Sequence, residues 1–275
     1  MPLSLILSDL HLGRPEPCQP RAEHFAELVR LPGLDTLIVN GDVAETAHPI
    51  YQLAAIDEVR TLEQLCADAD VRLILLAGNH DADLAELRYL HLANDRVLLT
   101  HGDAFHPGIA PWSERAHQMK RETQRTHGRL PAAHRQDLDT HLAIASWVAH
   151  REFTGDFGQT HSQHETSLLR QPHNLARVAY YWATVPGLAS EFAHRFAPDT
   201  RVLLFGHSHF PGVWRRDGRV LINTGSFTFP HLPHAVLSHD EQRFTYHRLK
   251  RDRRTRQYRL SPRALLTLHP HRRRP

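Results

Sequence analysis

Short aliphatic runs recur along the first hundred positions, each ending at a polar turn. Leu3–Leu7, Thr36–Asn40, Val71–Ala77 and Arg96–Thr100 read as buried strands, short and apolar on both faces. Between them, Glu23–Leu31 has helical spacing through Phe25, Leu28 and Val29 and stops at Pro32-Gly33. Pro49–Ala67 carries Leu53, Ile56, Val59 and Leu62 on one helical stripe, and Leu84–Leu90 reads as a short helix. This alternation argues for an α/β fold, a mainly parallel or mixed sheet with helices packed on it.

The pattern changes after Thr100. From Trp112 to about Phe196 β character is low, and helices are expected near 112–127, 132–151, 165–183 and 187–196. Gly128, Pro131, Thr154-Gly155-Asp156 and Pro186-Gly187 separate them. Strands return at Arg201–Phe205, Gly212–Arg216, Val220–Asn223, Ala235–Ser238 and Arg243–Leu249, with Asp217-Gly218 as a hairpin turn. The expected organisation is a catalytic core over 1–103 and 201–250, a helical cap over 104–200 and a basic tail over 251–275.

Composition narrows the class. The chain has 275 residues, 41% hydrophobic and 23% charged, as in ordinary soluble proteins. No apolar run approaches the roughly 20 residues of a spanning helix, and Met1–Leu7 lacks the features of a signal peptide. Cys18 and Cys66 are too few for a disulfide framework. The expected location is cytoplasmic, with the inner membrane face as a peripheral site. The net charge of +3 hides an asymmetry: from Arg248 onward there are eleven Lys/Arg against Asp252 alone. Such a tail could contact an anionic membrane surface or nucleic acid, or be a solvated end. The 24 histidines exceed what a metal site uses. Those in the middle of the chain, His141 among them, read as helix-surface or capping residues.

The strands deliver chemistry. Asp9-Leu10-His11, Gly41-Asp42, Gly78-Asn79-His80-Asp81, His101-Gly102-Asp103 and Gly206-His207-Ser208-His209 follow in fixed order, most of them directly after an apolar run. Ligands gathered at the carboxyl ends of strands suit an open α/β sheet. Asp9 with His11, and His207 with His209, alternate so that each pair shares a face on extended backbone. Asp42 has two oxygens and can bridge two cations, while Asn79 adds a neutral oxygen and His101 an imidazole. Seven mixed O/N ligands suit two divalent cations, Mn²⁺ first and Fe²⁺ or Zn²⁺ as alternatives.

These blocks resemble the calcineurin-like metallophosphoesterases, whose motifs are D-x-H, G-D-x-x-[DE], G-N-H-[DE], H-G and G-H-x-H. The resemblance covers Met1–Asp103 and about Arg201–Leu249, including Asn223-Thr224-Gly225-Ser226. It implies a four-layer α-β-β-α sandwich. It also implies one metal on Asp9, His11, Asp42 and His209, and a second on Asp42, Asn79, His101 and His207. Two cations about 3.5–4 Å apart clamp a phosphate and make a bridging hydroxide available for in-line attack. His80, beside Asn79, is the candidate general acid. Glu45 either orients His80 or is a first-turn helix residue. Asp81 and Asp103 read as supporting hydrogen-bond acceptors.

The layout is similar to the UDP-2,3-diacylglucosamine pyrophosphatase group, in which the insertion covers a lipid substrate. This chain has His80 where that group commonly has arginine, and Phe210-Pro211 where it usually has Arg-Pro. Trp112, Trp147, Phe153, Tyr180, Tyr181, Trp182 and Phe192 either line an apolar pocket or form the core of the cap. Arg121, Arg125, Arg129, Arg151 and Arg177 could grip a second phosphate or lie on a solvated helix face. The expected activity is hydrolysis of a small or lipid-linked phosphoester or pyrophosphate. A nuclease or cyclic-nucleotide phosphodiesterase, and a non-catalytic binding protein, are the alternatives.

Overall fold

The aliphatic strands split their side chains between different cores, which fixes the layering. In the computed structural model, which describes residues 2–15, 19–154, 172–228 and 230–271, β1 (Leu3–Leu7) sends Leu5 and Leu7 to one side and Ile6 to the other. β2 (Leu34–Asn40) divides Leu37 and Val39 from Ile38 in the same way. The period of two in a strand makes this obligatory, and burial on both faces explains why the runs contain so few polar residues.

Two mixed sheets result. The seven-stranded sheet adds β3 (Arg72–Leu76), β9 (His234–His239), β10 (Arg243–Arg251), β11 (Tyr258–Leu260) and β12 (Leu266–Leu268). Its order is β11-β10-β9-β1-β2-β3, with β12 also on β10. The five-stranded sheet has the order β4-β5-β6-β8-β7, from β4 (Tyr89–Leu92), β5 (Val97–Thr100), β6 (Val202–Phe205), β7 (Gly212–Arg216) and β8 (Arg219–Asn223). Ile6, Ile38, Leu99, Leu204, Ile222 and Val236 fill the space between the sheets. The short α1 (Ala26–Val29) and α2 (Gln52–Asp68) cover the outer face of the first sheet. The fold is therefore the expected α/β sandwich of two sheets between helical layers.

The middle of the chain divides differently from the expected cap over 104–200. α3 (Ala116–Arg129) and α4 (Leu138–Phe153) share a small core of Met119, Ile144 and Val148. α5 (Pro172–Phe196) instead packs Tyr181, Val185, Ala189 and Phe192 onto Leu203, Phe205 and Leu221 of the second sheet. α5 is thus the fourth layer of the sandwich. It runs unbroken through Pro186, where two helices were expected. An internal proline costs about 3 kcal/mol, and the buried stripe on both sides of it outweighs that loss. The expected helix start at 165 and residues His161 and His164 lie outside the described residues, as does Cys18.

Two other expectations are corrected. Leu84–Leu90 is not helical: Tyr89–Leu92 pairs antiparallel with Val97–Thr100, because edge pairing on β5 overrides local helix preference. The basic tail over 251–275 is not a free end through residue 271. β10 extends to Arg251, and β11 and β12 fold back to pair with it. Alternating Tyr258 and Leu260 supply buried contacts to the outer core. Among the described residues, no helix is long and apolar enough to cross a membrane.

One mid-chain histidine is structural. His141 donates from Nε2 to the Ala104 carbonyl (3.1 Å) and stacks on Phe196 at 4.4 Å between ring centres. Burial pushes it down to about 4 from an ordinary 6.5. Between these values the unfolded chain takes up a proton that the folded chain refuses, so stability falls as pH drops from 6.5 toward 4. The loss approaches about 3 kcal/mol at the acid end. Urea unfolding of His141→Leu is expected to show a flatter pH dependence across this window than the unsubstituted chain. Identical slopes would show that His141 is not the group involved.

Candidate metal centre

The strands stop short of most of the expected ligands, and tight turns aim them. β1 ends at Leu7, β2 at Asn40 and β6 at Phe205. Asp9, His11, Asp42, His207 and His209 then have φ between 49° and 60°. This left-handed region costs a non-glycine residue about 1–2 kcal/mol. The backbone at Asp9/His11 and His207/His209 is left-handed rather than extended as expected; Asp9 and His11 still gather in one group, whereas His207 and His209 do not. The turns let the two histidines of the last block diverge. His209 gathers with Asp9, His11 and Asp42, while His207 gathers with Asp42 and His101. Asp42 belongs to both groups, and its Oδ2 lies 3.6 Å from His11 Nε2 and 3.2 Å from His101 Nε2.

Hydrogen bonds behind the rings orient them. His11 Nδ1 is 2.6 Å from Glu45 Oε1, so it donates there and leaves Nε2 toward the centre, 3.1 Å from His209 Nε2. His101 Nδ1 donates to the Asn40 carbonyl (3.1 Å) and His207 Nε2 to the Ile109 carbonyl (3.0 Å). Each leaves its other ring nitrogen inward, the arrangement that orients a histidine as a ligand. Glu45 is not a first-turn helix residue, since α2 begins at Gln52. Its second oxygen holds His80 Nδ1 at 2.9 Å. The His80 and His209 side chains are 22% and 25% exposed, where His11, Asp42 and His101 are at 1%, so these two histidines are the members of the cluster open to an incoming molecule.

Electrostatics test whether cations fit. Burial raises Asp9 to about 7 against the pull of His101, and likewise raises Asp81 to about 7. Burial works upward on Asp42 too, but the His101, His80 and His11 charges outweigh it and hold Asp42 well below the usual carboxylate range. Burial works downward on His80, yet Glu45 and Asp42 push it up to about 9. Asp9 Oδ2, Asn79 Oδ1 and His101 Nε2 are buried without a hydrogen-bond partner; the last approaches Asp42 but out of line. Orphaned donors and acceptors of this kind are rare in native proteins. Three of them here lie on residues expected to be ligands, and with the mixed O/N chemistry of the gathered side chains the donor set fits two divalent cations.

Several contributors carried no sequence signal. Arg14 Nη2 lies 2.6 Å from Glu45 Oε1, supplying a positive charge beside that buried carboxylate. Asn40 Nδ2 donates to the Thr100 and Leu204 carbonyls (3.0 and 3.3 Å), joining β2 to both ligand-bearing strands of the other sheet. Thr228 Oγ1 is 3.2 Å from His209 Nδ1. Asp81 takes Gly78 N–H at 2.6 Å and the N–H groups of Val43 and Ala44, stitching the β2 and β3 turns together. Asp81 is thus the supporting acceptor that the sequence suggests, whereas a pattern search sees none of the Arg14, Asn40 and Thr228 contacts, because those partners are far apart in sequence.

The expected aromatic and arginine groups separate. Trp112 lies against His207 (5.4 Å) and Phe153 against His80 (5.4 Å), while Trp182 donates to the Ser208 carbonyl and stacks on Phe210. Tyr181 and Phe192 are buried in the core under α5, and Trp147 and Tyr180 are exposed. Arg151 pairs with Glu122, and Arg121, Arg125, Arg129 and Arg177 lie exposed on helices. None of these five arginines joins the cluster among the described contacts.

The motif glycines are spacers. A Cβ on Gly206 would overlap Asp9 Oδ2, and one on Gly78 would overlap Asp42 Oδ1. Gly206→Ala is therefore expected to displace the Asp9 carboxylate. Metal affinity measured by dialysis and elemental analysis should fall about tenfold or more, with the far-ultraviolet circular dichroism unchanged. Full metal retention would refute this reading of the close approach.

No curated protein matches the sequence. Among solved structures, a double mutant of Vps29 from Entamoeba histolytica is similar at 12% identity and a TM-score of 0.46, over 96% of this chain and 99% of that one. A predicted phosphoesterase from Streptococcus pneumoniae gives 16% and 0.40, over 97% and 95%. A dimetal phosphatase from Danio rerio gives 12% and 0.44, over 90% and 95%. Likenesses this distant say nothing of activity. The sequence profile of the calcineurin-like phosphoesterases matches residues 4–211, which span both ligand groups, and the chain belongs to that family.

Proposed function

We propose that the protein is a dinuclear metal-dependent phosphohydrolase that cleaves a phosphoester or pyrophosphate. The observation that carries this reading is the gathering of Asp9, His11 and His209 on one side of the shared Asp42 and of His101 and His207 on the other, with Asp9 Oδ2 and His101 Nε2 buried and unpartnered. Asp9, His11, Asp42 and His209 would hold one cation, and Asp42, Asn79, His101 and His207 the other. When bound, such a pair supplies Lewis-acid stabilisation of the phosphoryl group and an activated water. Mn²⁺ is the proposed metal, with Fe²⁺ or Zn²⁺ as alternatives suited to the same O/N donors.

The chain's own residues supply positioning and a proton. Glu45 holds His11 through Oε1 and His80 through Oε2, so one buried carboxylate couples ligand geometry to the exposed histidine. The His80 N–H donates to Asp42 Oδ1 (2.9 Å), fixing the backbone beside Asn79. In this reading His80 Nε2 gives a proton to the leaving oxygen, and Phe153 against its ring limits access by water.

An acyl-sugar nucleotide pyrophosphate is the first substrate class to test, because the order of motifs and inserted helices favours it. The proposed location is the cytoplasm, at the inner membrane face if the substrate is lipid-linked. His80 and Phe210-Pro211 depart from that pyrophosphatase group, so nucleotide and simple phosphate esters belong in the same screen.

The deciding experiment is hydrolysis of p-nitrophenyl phosphate and its bis ester with added Mn²⁺, followed by a screen of nucleotide, sugar-nucleotide and lipid phosphoesters. Asp42→Ala is expected to lose both metal and activity. His80→Ala should keep its metal and lose about 10²–10⁴ in rate on a poor leaving group. Inactivity with every divalent metal, together with no bound metal, would sink the phosphohydrolase reading. Full activity of His80→Ala would remove the acid role alone.

A further inference from the structure

The basic end of the chain is folded against the same edge of the first sheet as the metal centre. β1 and β10 both run antiparallel to β9, so they point the same way. The carboxyl end of β10 therefore lies at the edge where Asp9 and His11 leave β1. Arg248 pairs with His234, whose N–H donates to the Thr224 carbonyl (2.7 Å), and Thr224 Oγ1 is 2.6 Å from Ser8 Oγ. Two strand spacings put Arg248 about 10 Å from the end of β1.

Side-chain direction follows from the strand. Tyr246 faces the second sheet, since its hydroxyl donates to the Asn223 carbonyl at the end of β8 (2.9 Å). Arg248 and Lys250, two and four residues further on, share that face by alternation, and both are exposed. Arg253 and Arg254 follow in an exposed turn, where Asp252 Oδ1 accepts from the N–H groups of Arg254 (2.9 Å) and Thr255 (2.8 Å). Arg259, opposite Lys250, is neutralised by Glu27. Arg248, Lys250, Arg253 and Arg254 form no ion pair with a described carboxylate. Like charges fixed on one face repel, and beside a phosphate-binding centre they create a field that draws anions.

We propose that Arg248 and Lys250, with Arg253 and Arg254, form a second anion subsite holding a remote phosphate of an extended substrate. This deepens the phosphohydrolase reading of the same site and rests on it for the reacting group. The substrate class it names is a phosphoester or pyrophosphate carrying a further anionic group remote from the reacting phosphorus. Oligonucleotides and nucleotide-linked sugars both offer that chemistry.

The test reads binding without catalysis. Fluorescein-labelled hexathymidylate is titrated into the full chain by anisotropy at about 50 and 200 mM salt, with and without Arg248→Gln/Lys250→Gln. The double variant should bind about tenfold more weakly at low salt and lose about 1.4 from the log–log salt slope, the share of two single-strand phosphate contacts. Arg72→Gln/Arg215→Gln removes two exposed cations from other strands and should leave both quantities nearly unchanged. Competition by UDP-glucose that disappears in the Arg248/Lys250 variant supports a compact nucleotide as the ligand. Competition by unlabelled hexathymidylate alone supports a longer phosphodiester. No binding by the unsubstituted chain, binding unaffected in the variant, or equal weakening by the control pair would overturn the subsite. Inactivity on the whole ester screen with every divalent metal, together with no bound metal, would instead overturn the catalytic reading and leave this binding result standing.

Discussion

Buried negative charge is the constraint on which the rest of the centre depends. Asp9, Asp42, Glu45, Asp81 and Asp103 are all buried at one edge of the two sheets. A carboxylate taken from water without compensation is very costly, so each must be answered locally. Asp81 is answered by backbone N–H groups, and Glu45 by Arg14, His11 and His80. Asp42 is answered by the surrounding histidines. Asp9 is answered only in part: Oδ1 accepts from the His207 N–H (2.9 Å), while Oδ2 has no partner. The residual negative charge and the inward lone pairs of three imidazoles are complementary to cations and to little else.

Backbone strain follows from that constraint. Two sheets meet at this edge, and the ligands must project into the seam rather than along the strands. Left-handed turns at Asp9, His11, Asp42, His207 and His209 achieve the change of direction, at a cost that the surrounding structure must hold in place. Asn40, Asn223 and Ser226 do the holding. Asn40 bridges the sheets, Asn223 Nδ2 donates to the Gly206 carbonyl and Ser208 Oγ, and Ser226 Oγ donates to the Asp9 carbonyl (3.2 Å). Side chains at Gly78 or Gly206 would fill the space the carboxylates need.

This explains what could be read in the sequence. The strands were legible because burial on both faces leaves an aliphatic signature, and the ligands because chemistry restricts residue type at fixed spacing. Arg14 and Asn40 were not, since an arginine or asparagine has many uses and only its distant partners define this one. Tyr89–Leu92 was misread because its strand character comes from pairing with β5. Pro186 was misread because the packing of α5 on the second sheet, invisible locally, exceeds the proline penalty. The basic end reads as a tail because its charge masks the alternation of Tyr258 and Leu260, which pack into the outer core.

The centre and its surroundings therefore answer different physical demands. The cluster around Asp42 has little freedom: Asp9, His11, Asp42, His101 and His207 are buried and close to their neighbours, and His11, His101 and His207 are oriented from behind. Such a site sets a reaction class but leaves the organic part of a substrate unread. Discrimination needs groups that an incoming molecule can reach. His80 is one, held by Glu45 and touched by Phe153 from α4. Phe210, stacked on Trp182 of α5, is another. Arg248 and Lys250 on β10 are a third. These groups come from the inserted helices, the last motif and the final strands respectively. Substrate selectivity in this fold can thus change through elements around the seam while the strained turns that carry the ligands stay intact.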